Sequence, residues 1–265
     1  MRALWINDVH LEFLQDEERG QFLGSLRDMA PDCVLVGGDT GQAPSVVDSF
    51  TEMAATIQRP IYFVLGNHDY YYGSISAVQK SVREMSALSS RLNWLSDSGV
   101  VALTDKTCLI GHGGWGDARF GNYDESDVVL NDSLLIDELK DLTRPELRSK
   151  LEKLGDEAAA QLREVLLTVA ERFRYIVVLT HVPPFLEASW YEDRPCNDDW
   201  APFFTCKAMG DVLKEHMADR PECVMTVLCG HTHGGGAACI LPNVLSYTGP
   251  AQYGAPCAQR VFDLL

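Results

Sequence analysis

Five apolar, β-prone runs in this chain each hand over, within a residue or two, to metal-binding side chains. Residues 3–6 lead to Asp8-Val9-His10, 33–36 to Gly38-Asp39, and 61–65 to Gly66-Asn67-His68-Asp69. Residues 175–179 lead to His181, and 224–228 to Gly230-His231-Thr232-His233. Short runs rich in Val, Ile, Leu and aromatics read as buried strands. Loops at the ends of such strands gather at one edge of an α/β sheet, which is where sites of this class form. The repetition therefore constrains both the fold and the place in it where polar groups converge.

The intervening segments carry helical periodicity. Phe22, Leu26 and Met29 mark one face; Val47, Phe50, Ala54 and Ile57, with Pro44 near the start, mark a second. Val78, Val82, Met85, Leu88, Leu92 and Leu95 mark a third. These stripes face a core. Strand and helix alternate, as in a layered α/β fold. A length of 265 residues with 46% hydrophobic content suits one domain over 1–265 with a large core.

Residues 100–112 read as two strands around Thr104-Asp105-Lys106, ending in Gly111-His112-Gly113-Gly114-Trp115-Gly116. The pattern then changes over about 113–174, which reads as a partly helical insertion. Its first part is acidic and loop-like, with Asp117, Asp124, Glu125, Asp127 and Asp132. Its second part, 137–174, keeps a helix period through Leu151, Leu154, Ala158, Leu162, Val165, Val169 and Phe173. A cap over a site and a plain outer-layer helix both fit this block. After His181 comes a long segment with Trp190, Tyr191, Trp200, Phe203 and Phe204, which could stack a planar group or simply pack a core. Residues 239–265 read as hairpin strands.

The net charge is −16, with 22 basic residues against 38 acidic ones. No basic track for a nucleic-acid polymer or an anionic membrane is apparent. No apolar stretch approaches the roughly 20 residues of a membrane span. The first residues run straight into a strand without a leader, so a cytoplasmic location is the expectation. The eight cysteines form no CxxC pair, and several, including Cys33, Cys108, Cys229 and Cys239, fall in strands. They read as reduced thiols.

Asp8 and His10, two residues apart, can address one ion if the backbone stays extended there. Asp39 can bridge two cations with its two oxygens, Asn67 offers an amide oxygen, and His181, His231 and His233 add imidazoles. Carboxylate, amide and imidazole without thiolate suit Mn, Fe, Zn or Ni rather than a structural zinc site. Two such ions about 3.5–4 Å apart can activate water for in-line attack on phosphorus. A single DxH or GD carries little weight; five motifs in order, each behind a strand, carry a great deal.

With those motifs in place, the chain resembles the calcineurin-like metallophosphoesterases, whose pattern is DxH, GD, GNH followed by an acid, His, and GHxH. The resemblance spans Asp8 to His233. It implies a four-layer α-β-β-α sandwich, with two mixed β-sheets face to face and flanked by helices. It implies that Asp8, His10 and His233 bind one metal, that Asn67, His181 and His231 bind the other, and that Asp39 bridges. Mn and/or Fe is the expected pair, with Zn or Ni as alternatives. His68 would be the catalytic histidine. Serine/threonine phosphatases of the superfamily carry GDxxDRG; here Gly38-Asp39-Thr40-Gly41-Gln42-Ala43 lacks the second acid, so Asp69 is the expected partner of His68. The chain also resembles bacterial members with GHGGW-like and FFTCK-like stretches, which makes His112 a candidate substrate contact. The implied activity is hydrolysis of a small phosphomonoester or phosphodiester. A nuclease, or a non-catalytic protein-binding scaffold of the same fold, are the alternatives.

Overall fold

The computed structural model describes residues 1–192 and 194–265. The first part alternates strand and helix: β1 (Arg2–Ile6), α1 (Asp16–Asp28), β2 (Cys33–Val36), α2 (Val46–Ile57), β3 (Ile61–Phe63), α3 (Ile75–Leu88) and β4 (Leu92–Trp94). The short α4 (Leu95–Ser98), then β5 (Val101–Ala102) and β6 (Thr107–His112) follow. The middle of the chain holds α5 (Asp132–Leu135), the long α6 (Arg144–Leu167) and β7 (Tyr175–Thr180). The hairpin β8 (Trp190–Tyr191) and β9 (Arg194–Pro195) precedes α7 (Ala201–Phe204) and α8 (Lys207–Ala218). The chain closes with β10 (Val224–Cys229), β11 (Gly236–Leu241), β12 (Val244–Thr248) and β13 (Arg260–Asp263).

Two mixed sheets result. One has the order β13-β1-β2-β3-β4, the other β11-β12-β10-β7-β6-β5. In the first, β1 to β4 are parallel and β13 is antiparallel at the edge. In the second, β6, β7, β10 and β12 are parallel, flanked by antiparallel β5 and β11.

Side-chain alternation sorts the strand residues into layers. Leu4, Ile6, Val34 and Val36 face α1–α3 in one core, while their neighbours Ala3, Trp5, Cys33 and Leu35 face the other sheet. Ile176, Val178, Met225 and Val227 pack under α6 and α8, while Val177, Leu179 and Leu228 join the layer between the sheets. Every strand of the central pairs is apolar on both faces, as parallel strands covered on both sides must be. Each fully buried Leu, Ile or Val contributes about 1.5–3 kcal/mol. The architecture is the four-layer α-β-β-α sandwich. Among the described residues no helix is long and apolar enough to cross a membrane.

Two local readings are corrected. Leu92 and Leu95 do not extend the third helix: α3 stops at Leu88, Ser89 takes an extended conformation, and Leu92–Trp94 pairs in parallel with β3. A three-residue strand is too short to break a helical stripe in sequence. The helix expected over 137–174 is confined to Arg144–Leu167, where Thr143 and Glu146 form a reciprocal capping box. Its Ala158, Leu162 and Leu166 lie on the second sheet as an outer layer, whereas Val129, Leu130 and Asn131 ahead of it border the cleft described next.

Candidate metal centre and its cleft

All five motif loops leave the C-terminal ends of parallel strands and meet along the seam between the two sheets. The Asp8-Val9-His10 loop is zipped to the next one by backbone bonds: Asp8 N–H to Gly38 O at 3.1 Å, His10 N–H to Asp39 O at 2.9 Å and Leu11 N–H to Thr40 O at 3.0 Å. The backbone is not extended there. Asp8, His10, Asp39, His231 and His233 all have positive φ, between 43° and 70°. Left-handed backbone at non-glycine residues is uncommon, and clustering of this kind marks functional loops. Two motif glycines are required for close approach: a Cβ at Gly66 would collide with Asp39 Oδ1, and one at Gly230 with Asp8 Oδ2.

The side chains fall into two adjoining groups. In the first, His10 Nε2 lies 3.2 Å from His233 Nε2 and 3.7 Å from Asp39 Oδ2, and His233 Nε2 lies 3.7 Å from Asp8 Oδ1. Ligand atoms of Asp8, His10, Asp39 and His233 all fall within 4.8 Å of one another, as a cation site requires. In the second, Asn67 Oδ1 lies 2.9 Å from His181 Nε2 and 3.0 Å from His231 Nδ1, which are themselves 3.2 Å apart. Asp39 presents its other oxygen, Oδ1, 3.4 Å from His181 Nε2. Asp39 therefore faces both groups.

Hydrogen bonding fixes which atoms carry protons. His181 Nδ1 is 3.0 Å from Gly37 O, and His231 Nε2 is 3.1 Å from Phe203 O. Carbonyls only accept, so those nitrogens hold the ring hydrogens. The Asn67 amide nitrogen donates to Asp132 Oδ1 at 2.8 Å, which turns its oxygen inward. What converges in the second group is then two imidazole lone pairs, an amide oxygen and the Asp39 carboxyl, a set of acceptors that a cation would complete. The donor set fits a divalent transition metal.

Burial moves the titration of these groups. It raises Asp39 well above the ordinary carboxylate value, helped by the nearby charges of Asp8 and Asp69, and pushes Asp8 up to about 6. It holds His181 well below, and His231 below, the usual imidazole value, and takes His233 down to about 4. Uncharged histidines are the ligand form, and a bound cation would reverse the penalty on the carboxylates.

The two residues expected to act together separate. His68 borders the cleft, and its backbone N–H donates to Asp39 Oδ1 at 2.9 Å. Burial and the adjacent histidines take its imidazole down to about 2. Asp69 is not its partner: the carboxylate accepts from the backbone N–H groups of Asp39, Thr40, Gly41 and Gly66 at 2.8–3.1 Å. It is fully buried and staples the GD and GNHD loops together. The carboxylate near His68 is Glu12, whose Oε1 lies 4.0 Å from His68 Nδ1 and 3.4 Å from His10 Nδ1. His112 is likewise reassigned. Its Nδ1 accepts from Gly114 N–H at 3.0 Å, and its ring lines a separate cavity with Tyr70, Arg83, Trp94 and Gln161. The neighbouring glycine serves packing, since a Cβ on Gly113 would strike Leu65 O.

Sequence reading missed Glu12, Asp132 and Tyr71. Asp132 accepts from Asn67 and, at 2.7 Å, from the Tyr71 hydroxyl. Burial and that carboxylate drive the Tyr71 phenol far upward, so it remains a donor. Only Glu12 had a local clue, two positions after His10; Asp132 lies 65 residues from its partner.

The ligand groups floor a cleft of about 340 Å³. Val129, Leu130 and Asn131 form one wall, Tyr191, Trp200 and Phe204 another, and Tyr253 stands at the rim.

With this geometry established, the sequence matches the calcineurin-like phosphoesterase family over residues 1–235, and the chain belongs to that family. No curated protein sequence matches it. Among solved structures it is similar to the phosphopantetheinyl hydrolase PptH from Mycobacterium tuberculosis. The TM-score is 0.68 at 14% identity, covering 95% of this chain and 89% of that one. It is also similar to a dimetal phosphatase from Danio rerio, with TM-score 0.61 and 13% identity over 97% and 89% of the two chains. Purple acid phosphatase PPD1 from yellow lupin follows at 0.51 and 11%, covering 99% of this chain and 47% of that one. At these identities the likeness establishes the fold.

Proposed function

We propose that this protein is a dinuclear-metal-dependent hydrolase of a small phosphomonoester or phosphodiester. The observation that carries the reading is the pair of ligand groups sharing Asp39, whose two oxygens lie 3.7 Å from His10 Nε2 and 3.4 Å from His181 Nε2. Asp8, His10 and His233 would hold one ion and Asn67, His181 and His231 the other, with Asp39 bridging. The thiolate-free donor set favours Mn and/or Fe, with Zn or Ni as alternatives. When bound, such a pair supplies Lewis acidity toward the phosphoryl oxygens and a water nucleophile at neutral pH.

The chain's own residues do the rest. His68 reaches the cleft and hydrogen-bonds the phosphoryl or leaving oxygen. A phosphoryl anion beside the ring, and Glu12 Oε1 at 4.0 Å from Nδ1, are the negative groups that favour a proton on it. Asp132 and Tyr71 hold the Asn67 amide oxygen inward, and the Gly37 and Phe203 carbonyls hold the rings of His181 and His231. On this reading residues 1–265 act as one domain, and the insertion at about 113–174 supplies a cleft wall through Val129, Leu130 and Asn131. The free cysteines, with Cys239 and Cys257 exposed, favour a reducing compartment, for which we propose the cytoplasm.

Two observations weigh against the alternatives. No Lys or Arg among the described residues lines the cleft, which disfavours a nuclease grip on a polyanion. A scaffold has no need of a complete ligand set. The test is elemental analysis after Mn²⁺ reconstitution, followed by turnover of a small diester, plasmid and phosphoprotein at matched phosphorus and physiological salt. The small ester should be cleaved, and chelator should abolish turnover. Faster cleavage of plasmid would promote the nuclease, and metal without turnover of any ester would promote the scaffold.

A further inference from the structure

One wall of the cleft has no part in the chemistry just described. Tyr191, Trp200 and Phe204 form a continuous aromatic cluster, with Trp200 and Phe204 stacked at 4.9 Å and 25°. Tyr191 packs on Trp200 at 4.9 Å and meets Phe204 edge-on at 5.4 Å. The cluster begins at the metal centre itself, because the Phe204 ring abuts His231 edge-on at 5.3 Å. Phe204 is itself buried, as is its neighbour Phe203 beside Tyr123, whereas Tyr191 and Trp200 are only partly buried and open onto the cleft. Across the floor, Tyr253 is half exposed, with its ring 4.6 Å from that of His10 and 4.8 Å from that of His233. Leu130 and the exposed Val129 close the remaining side.

We propose that this wall selects a substrate whose organic group carries a flat, uncharged aromatic ring beside a single phosphoryl group; the inference rests on the phosphoesterase reading and narrows it. A phosphoryl group lying against Asp39 and His231 puts its substituent next to Phe204, and from there along Trp200 and Tyr191. A ring gains offset or edge-on contacts with those faces beyond what its apolar area provides, and a saturated ring of the same size does not. Charge sets the other limit. With no Lys or Arg among the described residues that line the cleft, a second phosphate or a carboxylate on the organic group would be desolvated against aromatic and aliphatic side chains.

Non-hydrolysable probes separate binding from turnover. The Mn²⁺-loaded full-length protein is titrated calorimetrically with benzylphosphonate, cyclohexylmethylphosphonate and 4-carboxybenzylphosphonate. Benzylphosphonate should bind about three- to tenfold more tightly than the saturated analogue, and the carboxylated probe more weakly than benzylphosphonate. Trp200→Leu should abolish the ring preference and Trp200→Phe should retain it, with metal content and circular dichroism confirming folded protein. Equal affinity of the aromatic and saturated probes for the unmodified protein overturns the proposal without reference to any variant. So does an undiminished preference in folded Trp200→Leu, or tighter binding of the carboxylated probe. If no ester is turned over while the ring preference persists, the hydrolase reading falls and the aromatic subsite stands.

Discussion

Replacing Asp132 by Ala tests the support of the metal centre without touching a proposed ligand. The change leaves the Asn67 amide N–H and the Tyr71 hydroxyl without the oxygen that accepts both, at 2.8 and 2.7 Å. Each bond to a charged acceptor is worth about 1.5–3 kcal/mol. Asn67 Nδ2 also approaches the Tyr71 oxygen at 3.1 Å, which recovers part of the loss. A net destabilisation of about 3 kcal/mol follows, or roughly 6–12 °C in Tm for a chain of this size. Freed to rotate, the amide ceases to present its oxygen, and loss of such a support typically costs about 10–100-fold in metal affinity. The loss should fall on the ion shared by Asn67, His181 and His231 and spare the one held by Asp8, His10 and His233. Thermal melts with and without Mn²⁺, together with competitive chelator titration, read both quantities. Asp132→Asn keeps an acceptor oxygen and should recover most of the melt. A melt within about 2 °C of the unmodified protein, combined with two unaltered binding steps, would refute the reasoning.

Asp39→Asn should weaken both ions together, because it removes a carboxylate charge shared by two shells; elemental analysis should find fewer than two ions per chain, and an unchanged stoichiometry would contradict bridging. His68→Ala should retain both metals and lose about 10²–10⁴-fold in kcat; loss of metal with unchanged kinetics on reconstitution would show the role to be wrong. Glu12→Gln should lower kcat more than it alters KM and shift the pH profile, and it should add nothing in a His68→Ala background; additive losses would place Glu12 elsewhere. Metal affinity should fall with acidity, because burial raises Asp8 to about 6 and raises Asp39 as well, and each proton they bind must be displaced by metal. The sign follows from the raised carboxylates: as the pH rises each ionises and its competition with metal falls away. Binding heats in buffers of different ionisation enthalpy count the protons released, and zero release at pH 5 would exclude this account.

The strand-and-loop skeleton was legible because its signal is local. An apolar run followed at once by Asp, Asn or His places a polar group at a strand end, whatever the rest of the chain does. Alternation along β1 and β2 likewise encodes two buried faces, hence layers. What escaped depends on distance or brevity. β4 is three residues long and continues the spacing of α3, so only pairing with β3 distinguishes it. Asp132 sits among several acids in an irregular segment, and nothing nearby marks it as the one that turns inward to Asn67. Asp69 and His112 drew attention through their motif positions, yet packing governs both. Four backbone amides saturate the Asp69 carboxylate, and the glycine after His112 lets the chain pass over Leu65.

The way the ligands divide between the sheets has a mechanical meaning. Asp8, His10, Asp39 and Asn67 hang from β1–β3, whereas His181, His231 and His233 hang from β7 and β10 in the opposite sheet. On the proposed assignment each ion takes donors from both halves. The pair is then a clasp across the rim of the sandwich, while farther down the sheets adhere through apolar contacts such as Trp5, Leu35, Val177 and Leu228 and through the Thr107 hydroxyl, which donates to Leu265 O at 2.9 Å. Withdrawing metal loosens the rim first and leaves that lower adhesion intact. Amide exchange should therefore quicken in the five loops and the strand ends that bear them, well before the chain as a whole comes apart. On that assignment metal supply would set the stiffness of this joint as well as its chemistry.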